Sequence, residues 1–443
     1  MARYKKKSGG KYVFRRILVV IIVLAVIAGV IFAVKSCSDD SPQENTPNDT
    51  SSATLSGESS KKDTDGSIAT ATIGSTGDII IHESVFVAAK QGDTYDFTDD
   101  YEYVKPYYSK YDLSVANLEV NFAGGKNYSG YPLFNAPPTI ADAVKNAGVD
   151  LLLTANNHSY DNGAEGFLNT VRVLREKGIS YIGTSDKESE KLYSVRDVNG
   201  IKIATACYTY CTTPSAGKKA LNGNIMKQGT ENLVASFDYN NLDEFYADAK
   251  NALDDMKSQG AEYSVIYMHW GDEYQLDANS KQKKIAQKLC DMGWDAIIGG
   301  HPHVVEPFET LKSANGHETV CIYSMGNSLS NQRREAMDVS IAKQGYTEDG
   351  LIFELEIKKY EDGSVRTSNV NILPTWVNYF TANGKTIYRI VPLDPTVADW
   401  DSLGVTRMAD AKESYARTMK IVGPGLNSYR TAKGLSTIPL TVK

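Results

Sequence analysis

Five short polar motifs in this sequence carry the residue types that bind divalent metal ions. They are Gly77-Asp78, Asn117-Leu118-Glu119, Asn156-Asn157-His158, His269-Trp270-Gly271 and Gly300-His301-Pro302-His303. Each follows an apolar stretch that predicts a β-strand. Carboxylates can bridge two ions, neutral imidazoles can bind each ion, and an asparagine carbonyl can complete a coordination shell. Together the motifs predict a divalent-metal site.

Each motif also has a purely structural explanation when it is taken alone. Asp78 could be a solvated carboxylate in a turn, and His269 could be a core histidine with satisfied hydrogen bonds. The polar run from Asn156 to Asp161 is harder to explain in this way, because polar residues after a buried strand need partners. The imidazoles of the last motif can flank a pair of ions. Two ions about 3.5–4 Å apart can hold a hydroxide and a phosphoryl oxygen at once.

The elements that position these motifs alternate between predicted strands and helices, which indicates an α/β protein with mixed sheets and outer helices. Strands are predicted at 68–73, 113–116, 149–154, 179–182, 193–198, 201–208, 264–268, 296–298, 320–323, 351–358 and 365–372. Helices are predicted at 140–147, 163–177, 242–258 and 280–292. Ligands of such sheets gather at the carboxyl ends of strands, which is where the motifs lie.

The N-terminal part predicts a membrane anchor. Residues 1–16 contain seven basic residues and no acidic one, and the eighteen residues that follow carry no charge. A helix of that length just spans a bilayer, and the basic end stays in the cytoplasm. A cleaved signal peptide is the main alternative, but Lys35 occupies the place of the small residue that cleavage needs. We predict a basic cytoplasmic arm (1–16), a single-pass transmembrane anchor in the cell membrane (17–35) and an extracytoplasmic domain.

The segment 36–67 is rich in Ser, Thr, Asp and Asn and lacks aromatic residues, which predicts a disordered linker. The net charge is −7, and every acidic residue lies after Lys35. The outer part is therefore acidic, and we expect no nucleic-acid partner. The five cysteines are too scattered for a disulfide framework. Cys207 and Cys211 either pair across a loop or are both small buried residues.

The five motifs, together with Ser324-Met325-Gly326-Asn327, resemble the CapA family. These are the capsule-synthesis proteins of bacterial poly-γ-glutamate production, within the calcineurin-like metallophosphoesterase superfamily. The resemblance covers residues 68–327 and extends to about Asp394. We therefore predict a CapA-like domain over 68–394 and a C-terminal extension over 395–443 whose packing the sequence pattern leaves open. It implies a metallophosphatase-like sandwich of two mixed β-sheets flanked by helices.

The resemblance also implies one or two divalent cofactor ions, either Mn, Fe or Zn. The implied ligands are Asp78 and His303 on the first ion, Asn157, His269 and His301 on the second, and Glu119 bridging both. His158 would protonate a leaving group or stabilise the transition state, with Asp161 orienting it. Further candidates for the site are His82, Asn117 and Asn156.

Two departures from the superfamily pattern bear on the number of ions. The usual Asp-x-His start is missing, because two isoleucines follow Asp78 and His82 comes four residues later. Glu119 stands where an aspartate is usual. Other residues either line a cleft beside the site or belong to the core, namely Trp270, Tyr274, Tyr128, Tyr131 and Phe134. Arg333 and Arg334 either meet an anionic substrate or belong to a solvated loop.

Three functions fit these observations. The first is a role in poly-γ-glutamate capsule synthesis or export, with other membrane proteins of such a complex and the anionic polymer as partners. The second is a metal-dependent hydrolase of a phosphoester or γ-glutamyl amide at the cell surface. The third is a non-catalytic scaffold that keeps the fold and uses metal only for stability.

Overall fold

The computed structural model describes residues 66–125, 127–215 and 218–442. The predicted arm, the predicted anchor and nearly all of the predicted linker lie outside the described residues. Among the described helices, none combines the length and the apolar character that crossing a membrane requires.

Nineteen strands occur in the described chain. In chain order they are β1 (Ser67–Ile79), β2 (Lys90–Gln91), β3 (Thr94–Tyr95), β4 (Leu113–Leu118), β5 (Leu151–Leu153), β6 (Tyr181–Ile182), β7 (Ser194–Val198), β8 (Ile201–Ser215), β9 (Lys218–Leu221), β10 (Asn224–Ile225), β11 (Ser236–Asp238), β12 (Tyr263–His269), β13 (Ala296–Gly300), β14 (Phe308–Lys312), β15 (Glu318–Ile322), β16 (Asn327–Leu329), β17 (Asp349–Tyr360), β18 (Val365–Ala382) and β19 (Lys385–Pro392).

Eight α-helices occur in the same described residues. They are α1 (Glu83–Ala88), α2 (Lys105–Tyr108), α3 (Thr139–Asn146), α4 (Gly163–Glu176), α5 (Leu242–Ser258), α6 (Ser280–Met292), α7 (Ser340–Lys343) and α8 (Met408–Ala432). The predicted helices 242–258 and 280–292 are confirmed with the same bounds. Local chemistry explains α6, since Asn279 and Gln282 form a capping box and Gly293 ends the helix in a left-handed conformation.

The strands form two large mixed sheets. The first has the order β19-β18-β17-β1-β4-β5-β6, with β16 also paired to β1. The second has the order β10-β9-β8-β12-β13-β15-β14, with β7 and β11 also paired to β8. The inner strands β1, β4, β5 and β6 run parallel, and so do β8, β12, β13 and β15. Their carboxyl ends therefore meet at one edge of each sheet.

One apolar core fills the space between the two sheets, and helices cover the outer faces. The inner core takes Ile73 from the first sheet and Ile203 and Val265 from the second. Adjacent residues on the same strands, Ala204 and Ile266, pack outward against α5 and α6, because side chains alternate along a strand. The predicted mixed α/β architecture with two helix-flanked sheets is confirmed.

The C-terminal extension contains α8, which the weak sequence pattern does not predict. The helical pattern of this segment is interrupted at Gly423, Pro424 and Gly425, because proline and glycine both disfavour a helix interior. Packing outweighs this local preference, because Tyr415 and Leu426 of α8 are fully buried in the inner core.

Cys207 and Cys211 are both buried and unpaired. They lie four residues apart on the continuous strand β8, which separates their Cα atoms by about 13 Å at ~3.3 Å per residue. Disulfides need Cα atoms within about 7 Å. The alternative that these cysteines pair is therefore wrong, and both are small core residues.

Candidate metal centre

The predicted metal ligands lie together at the carboxyl ends of the inner strands. Asp78 is the next-to-last residue of β1, Glu119 follows β4, and His269 ends β12. His301 and His303 follow β13. Each of these side chains is at most 4 % exposed. Two sheet edges thus bring carboxylates from the first sheet against imidazoles from the second.

Asp78 is held by contacts from both sheets. Its Oδ1 accepts a hydrogen bond from Asn117 Nδ2 at 2.7 Å, and its Oδ2 accepts one from the backbone N–H of His301 at 3.0 Å. The same Oδ2 lies 3.4 Å from His303 Nδ1. A Cβ atom at Gly300 would lie only 2.8 Å from Asp78 Oδ1. Glycine at position 300 therefore permits this close approach.

Glu119 lies at the centre of the ligand set. Its Oε1 is 3.4 Å from His269 Nε2 and 3.9 Å from His303 Nε2. His269 Nε2 is also 2.7 Å from Asn157 Oδ1. Ligand atoms within 4.8 Å of one another form two groups, Asp78–Glu119–His269 and Glu119–His301–His303. Glu119 belongs to both groups, as a bridging carboxylate would.

The chemistry of these residues fits divalent ions. Three of the ligand atoms are buried without a hydrogen-bond partner in the protein, namely Glu119 Oε1, His301 Nδ1 and His303 Nδ1. Leaving a buried polar atom unpaired costs about 1–3 kcal/mol, and more for a charged group. A bound divalent ion would supply the missing partner. The buried His, Asp and Glu groups therefore suggest metal binding, while the division of ligands between two ions stays a prediction.

The backbone of the His301-Pro302-His303 loop adopts a conformation that side chains rarely take. His301 has a φ of 99° and His303 a φ of 57°, both in the left-handed region. Such residues cost about 1–3 kcal/mol each, persist only where the surrounding structure holds them, and cluster at functional sites. Two backbone hydrogen bonds hold the loop, from Trp270 N–H to the Gly300 carbonyl at 3.1 Å and from Tyr274 N–H to the Pro302 carbonyl at 2.8 Å.

The charges of the site favour cations. Burial opposes ionisation of Asp78, but His303 and His269 outweigh it and hold the pKa of Asp78 below its usual value. Burial likewise opposes protonation of His303, but Glu119 and Asp78 raise its pKa to about 9. Burial and neighbouring imidazoles lower the pKa of His301 well below its usual value. Asp78 and Glu119 thus attract positive charge to this centre, which also favours a divalent cation.

His158 and Asp161 form a buried pair beside this centre. His158 Nδ1 lies 2.8 Å from Asp161 Oδ2, which also accepts the backbone N–H of Phe134 at 2.8 Å. The ring of Phe134 packs edge-on against the His158 ring at 4.7 Å between centroids. Asn121 Nδ2 contacts the carbonyl oxygens of His158 and Ser159, both at 3.0 Å. The imidazole is thus held through both its ring and its backbone.

The further candidates occupy different positions. Asn117 contacts Asp78 directly, as described above. Asn156 links two ligand loops, since its Nδ2 donates to the Leu118 carbonyl at 2.8 Å and contacts Asn117 Oδ1 at 3.2 Å. His82 belongs to neither group of ligand atoms found among the described residues. Its Nδ1 accepts the Asn331 backbone N–H at 3.2 Å, and burial lowers its pKa to about 4.

The alternatives for the aromatic and arginine residues are now distinguished. Trp270 is a core residue, fully buried with its Nε1–H donating to the Tyr323 carbonyl at 2.9 Å. Tyr128 packs against Phe86 and Tyr95. Phe134 and Tyr274 border the site through ring contacts with His158 and His303, and Tyr131 is 76% exposed and so is not a core residue. Arg334 forms ion pairs with Glu348, Asp410 and Glu413, and Arg333 stacks on Tyr379 at 4.3 Å.

Three residues around the site were not predicted. Tyr210 lies on the unpredicted extension of β8, and its ring centroid is 4.8 Å from that of His301. Asn222, in the turn between β9 and β10, brings its Nδ2 to 3.5 Å from His158 Nδ1. Glu273 directly precedes Tyr274, whose ring centroid is 6.2 Å from that of His303. No local motif marks these residues, because only the packing of distant segments brings them to the site.

These observations define an α/β protein with a buried, histidine- and carboxylate-rich centre suited to divalent ions. The chain belongs to the family described as "Bacterial capsule synthesis protein PGA_cap", whose model matches residues 72–332 and so includes all five motifs. It is 27% identical over 308 residues to "PGA biosynthesis protein CapA" of Bacillus subtilis, covering 67% of this chain and 72% of that protein. It is 29% identical over 245 residues to "Capsule biosynthesis protein CapA" of Bacillus anthracis, covering 52% and 54%. The predicted resemblance is confirmed.

Two more distant likenesses were found. An "NAD 5'-nucleotidase" of Haemophilus influenzae is 25% identical over 226 residues, which is 50% of this chain and 32% of that protein. Among solved structures, purple acid phosphatase PPD1 from yellow lupin (Lupinus luteus) seeds has a TM-score of 0.33 at 11% identity, covering 67% of this chain and 53% of that chain. A TM-score this low supports no statement on fold or function.

Proposed function

We propose that this protein acts in poly-γ-glutamate capsule synthesis or export, as a membrane-anchored extracytoplasmic protein with a divalent-metal centre. Family membership and two relatives named for capsule or PGA biosynthesis support the process. The basic arm and apolar segment of residues 1–35 support the location. Its partners would be the anionic polymer and other membrane proteins of the assembly.

The observation that carries the metal centre is the convergence of five ligand side chains from two sheets. Asp78, Glu119, His269, His301 and His303 form two overlapping groups at one edge of the fold. Their unpaired buried atoms would otherwise remain an uncompensated cost. Asn157 adds an amide oxygen beside His269. This set suits Mn, Fe or Zn on a metallophosphatase-like fold.

A second candidate function, hydrolysis of a phosphoester or a γ-glutamyl amide, is favoured by the His158–Asp161 pair. A bound divalent ion would polarise the bond to be cleaved and lower the pKa of a water molecule. Asp161 Oδ2 would accept a hydrogen bond from His158 Nδ1–H, so that Nε2 of the protonated imidazole could deliver a proton to the leaving atom. Hydrolysis would act on the same polymer or on a phosphorylated intermediate in its synthesis.

The first experiment measures the metal content of the purified full-length protein by elemental analysis. We expect Mn, Fe or Zn at one or two ions per chain, and loss of most of it in His301→Ala and Glu119→Ala. His317→Ala is the matched control, because His317 lies outside the site with its Nε2 near the Trp294 carbonyl. A metal-free protein, or equal metal in all variants, would favour the scaffold function.

The capsule role needs a separate test in cells. Deleting the gene should abolish or strongly reduce surface poly-γ-glutamate, and the wild-type gene should restore it. His301→Ala should fail to restore it if the metal centre is required, whereas His317→Ala should succeed. Unchanged surface polymer after deletion would contradict the proposed process whatever the metal content.

A further inference from the structure

We propose that one face of the helix α6 binds the pendant carboxylates of a γ-linked glutamate chain and leads that chain to the edge of the metal centre. This face is the lysine stripe, which consists of Lys281, Lys284 and Lys288. The identity of the chain rests on the proposed function, whereas the preference for a polyanion with regularly spaced charges rests on the residues of this surface.

The lysine stripe lies on one side of a rigid helix. Its members follow the spacing i, i+3 and i+7, which places them on the same side of α6 over about 10 Å at ~1.5 Å per residue. All three side chains are exposed, while Ala286 and Leu289 on the adjoining side are fully buried against the second sheet. A capping box and the left-handed Gly293 define the two ends of the helix. The three ammonium groups are therefore presented together.

The charges of the lysine stripe are not neutralised by the protein. None of its members forms an ion pair with an acidic side chain of the described residues, Asp277 in the preceding loop included. Other nearby carboxylates are bonded to amides, since Asp272 accepts from Asn279 Nδ2 at 2.7 Å and Asp291 accepts from Gln287 Nε2 at 3.0 Å. Three positive charges on the surface of an acidic chain are thus available to an anionic ligand.

Aromatic contacts connect the lysine stripe to the metal centre. Lys281 Nζ lies 4.9 Å from the ring centroid of Tyr239. The Tyr239 ring stacks on that of Tyr210 at 6.2 Å between centroids, and the Tyr210 ring is 4.8 Å from that of His301. Tyr239 Oη also accepts the N–H of Gly271, from the His-Trp-Gly motif, at 2.9 Å. A chain bound along the stripe therefore reaches the edge of the ligand set at its Lys281 end.

The spacing of the lysine stripe suits a γ-linked glutamate chain. Each residue of such a chain contributes five backbone bonds instead of three, so that successive carboxylates are about 6 Å apart when the chain is extended. Successive lysines of the stripe are about 4.5 and 6 Å apart along the helix axis. The flexible four-carbon stems of lysine cover the remaining difference. Three consecutive carboxylates can therefore meet three ammonium groups at once.

The test titrates a short γ-linked glutamate oligomer by calorimetry into the metal-loaded full-length protein at low ionic strength, where surface charges are least screened. The stripe variant combines Lys281→Gln, Lys284→Gln and Lys288→Gln. It should bind the oligomer about tenfold more weakly than the wild type, with unchanged metal content and thermal stability. Arginine at the same three positions keeps the positive charges and should keep the affinity.

The matched control removes three exposed lysines from three other elements, β2, β19 and α8. It combines Lys90→Gln, Lys385→Gln and Lys412→Gln, so that its net charge equals that of the stripe variant. The control should bind like the wild type. Wild-type affinity in the stripe variant, equal weakening in the control, or no binding of the oligomer by the wild type would each overturn the inference.

Vesicles of anionic phospholipid serve as a second probe of the same surface. Binding of vesicles that depends on the lysine stripe, without binding of the oligomer, would assign the stripe to a membrane surface and overturn the inference. Each of these failures can be told apart from failure of the proposed function. Elemental analysis tests the metal centre separately, and gene deletion tests the capsule role separately.

Discussion

At the scale of single residues, Glu119 and Asp161 contact different partners, so that substituting each residue should change a different property of the site. Glu119 Oε1 has no hydrogen-bond partner in the protein and lies between His269 and His303. Asp161 Oδ2 is bonded to His158 and to the Phe134 backbone. We therefore expect changes at Glu119 to affect metal binding and changes at Asp161 to affect the imidazole.

The first prediction concerns Asp161→Asn. Asparagine keeps an oxygen for the Phe134 N–H but removes the negative charge that orients and stabilises His158. Losing such an outer partner lowers activity about 10–100-fold. Under the proposed hydrolase function, turnover of a chromogenic phosphodiester should fall by that factor, while elemental analysis should show unchanged metal.

The control for this prediction is Asp186→Asn, which changes an exposed carboxylate paired with Arg175 outside the site. It should leave turnover unchanged. If Asp161→Asn lost metal as fully as Glu119→Ala, Asp161 would support the ligand set rather than His158. Full activity of Asp161→Asn would contradict the role assigned to the pair.

At the scale of elements, the helix α8 shows how packing overrides local preference. It runs for 25 residues with a proline inside. Gly425 allows α8 to approach β14 closely, because a Cβ there would lie 1.9 Å from the Phe308 carbonyl oxygen. A Cβ at the neighbouring Gly423 would meet side-chain ends, with Leu440 Cδ2 at 2.3 Å and Met419 Cε at 3.6 Å.

The second prediction compares these two glycines. Gly425→Ala should lower the free energy of unfolding by about 1–3 kcal/mol, since the added methyl group meets backbone that cannot move aside. Gly423→Ala should cost little, because Leu440 can shift and alanine favours a helix by up to about 1 kcal/mol. Urea unfolding of both variants measures the difference. Equal stability would contradict the close contact between α8 and β14.

The third prediction concerns the ion pair that ties α8 to β17. Arg417 Nη2 lies 2.7 Å from Asp349 Oδ1, and Arg417 Nε donates to Asp349 Oδ2 at 2.8 Å. Burial raises the pKa of Asp349, and Arg417 acts in the opposite direction. Arg417→Met would leave the buried carboxylate with Ser414 as its remaining side-chain partner. Removing one partner of such a pair costs about 3–5 kcal/mol at neutral pH.

The sign of the pH dependence follows from the raised pKa. Without Arg417, folded Asp349 binds its proton more tightly than unfolded Asp349 does, so protonation favours the folded state. The deficit in unfolding free energy, relative to the wild type, should therefore shrink as the pH falls through the raised pKa of Asp349. Unfolding both proteins at several pH values from neutral to mildly acidic measures it. A deficit independent of pH would contradict this account.

At the scale of the whole molecule, the described fold and the N-terminal segment make separate contributions. The fold of residues 66–442 contains the complete ligand set and its own core. Residues 1–35 lie outside the described part and carry the predicted anchor. Metal binding and membrane attachment should therefore be separable.

The fourth prediction tests this separation. Deleting residues 1–35 should move the protein from the membrane fraction to the soluble fraction with its metal content unchanged. Deleting only residues 1–16 is the control, and that variant should stay in the membrane because the apolar segment remains. Fractionation with alkaline carbonate washing measures both. A soluble full-length protein, or release by removal of 1–16 alone, would contradict the anchor.

Much of the fold could be predicted because its signals are local. Alternating and 3.6-residue apolar patterns predict the inner strands and the helices α5 and α6. The strand ends were less predictable, since β1 and β8 extend well beyond their apolar runs. Helix α8 was missed because its stabilisation comes from contacts with distant strands. Local propensity cannot report such contacts.

The sequence by itself determined the family, the polar motifs and their positions after strands, because residue type and spacing carry that information. The tertiary structure alone decided which side chains meet. Asp78 accepts a hydrogen bond from His301 across 223 residues, and Tyr210 and Asn222 border the site without any motif of their own. These contacts depend on sheet order and on the packing of one sheet edge against the other. Neither is set within a short stretch of chain, since each arises only when distant strands bury a common core.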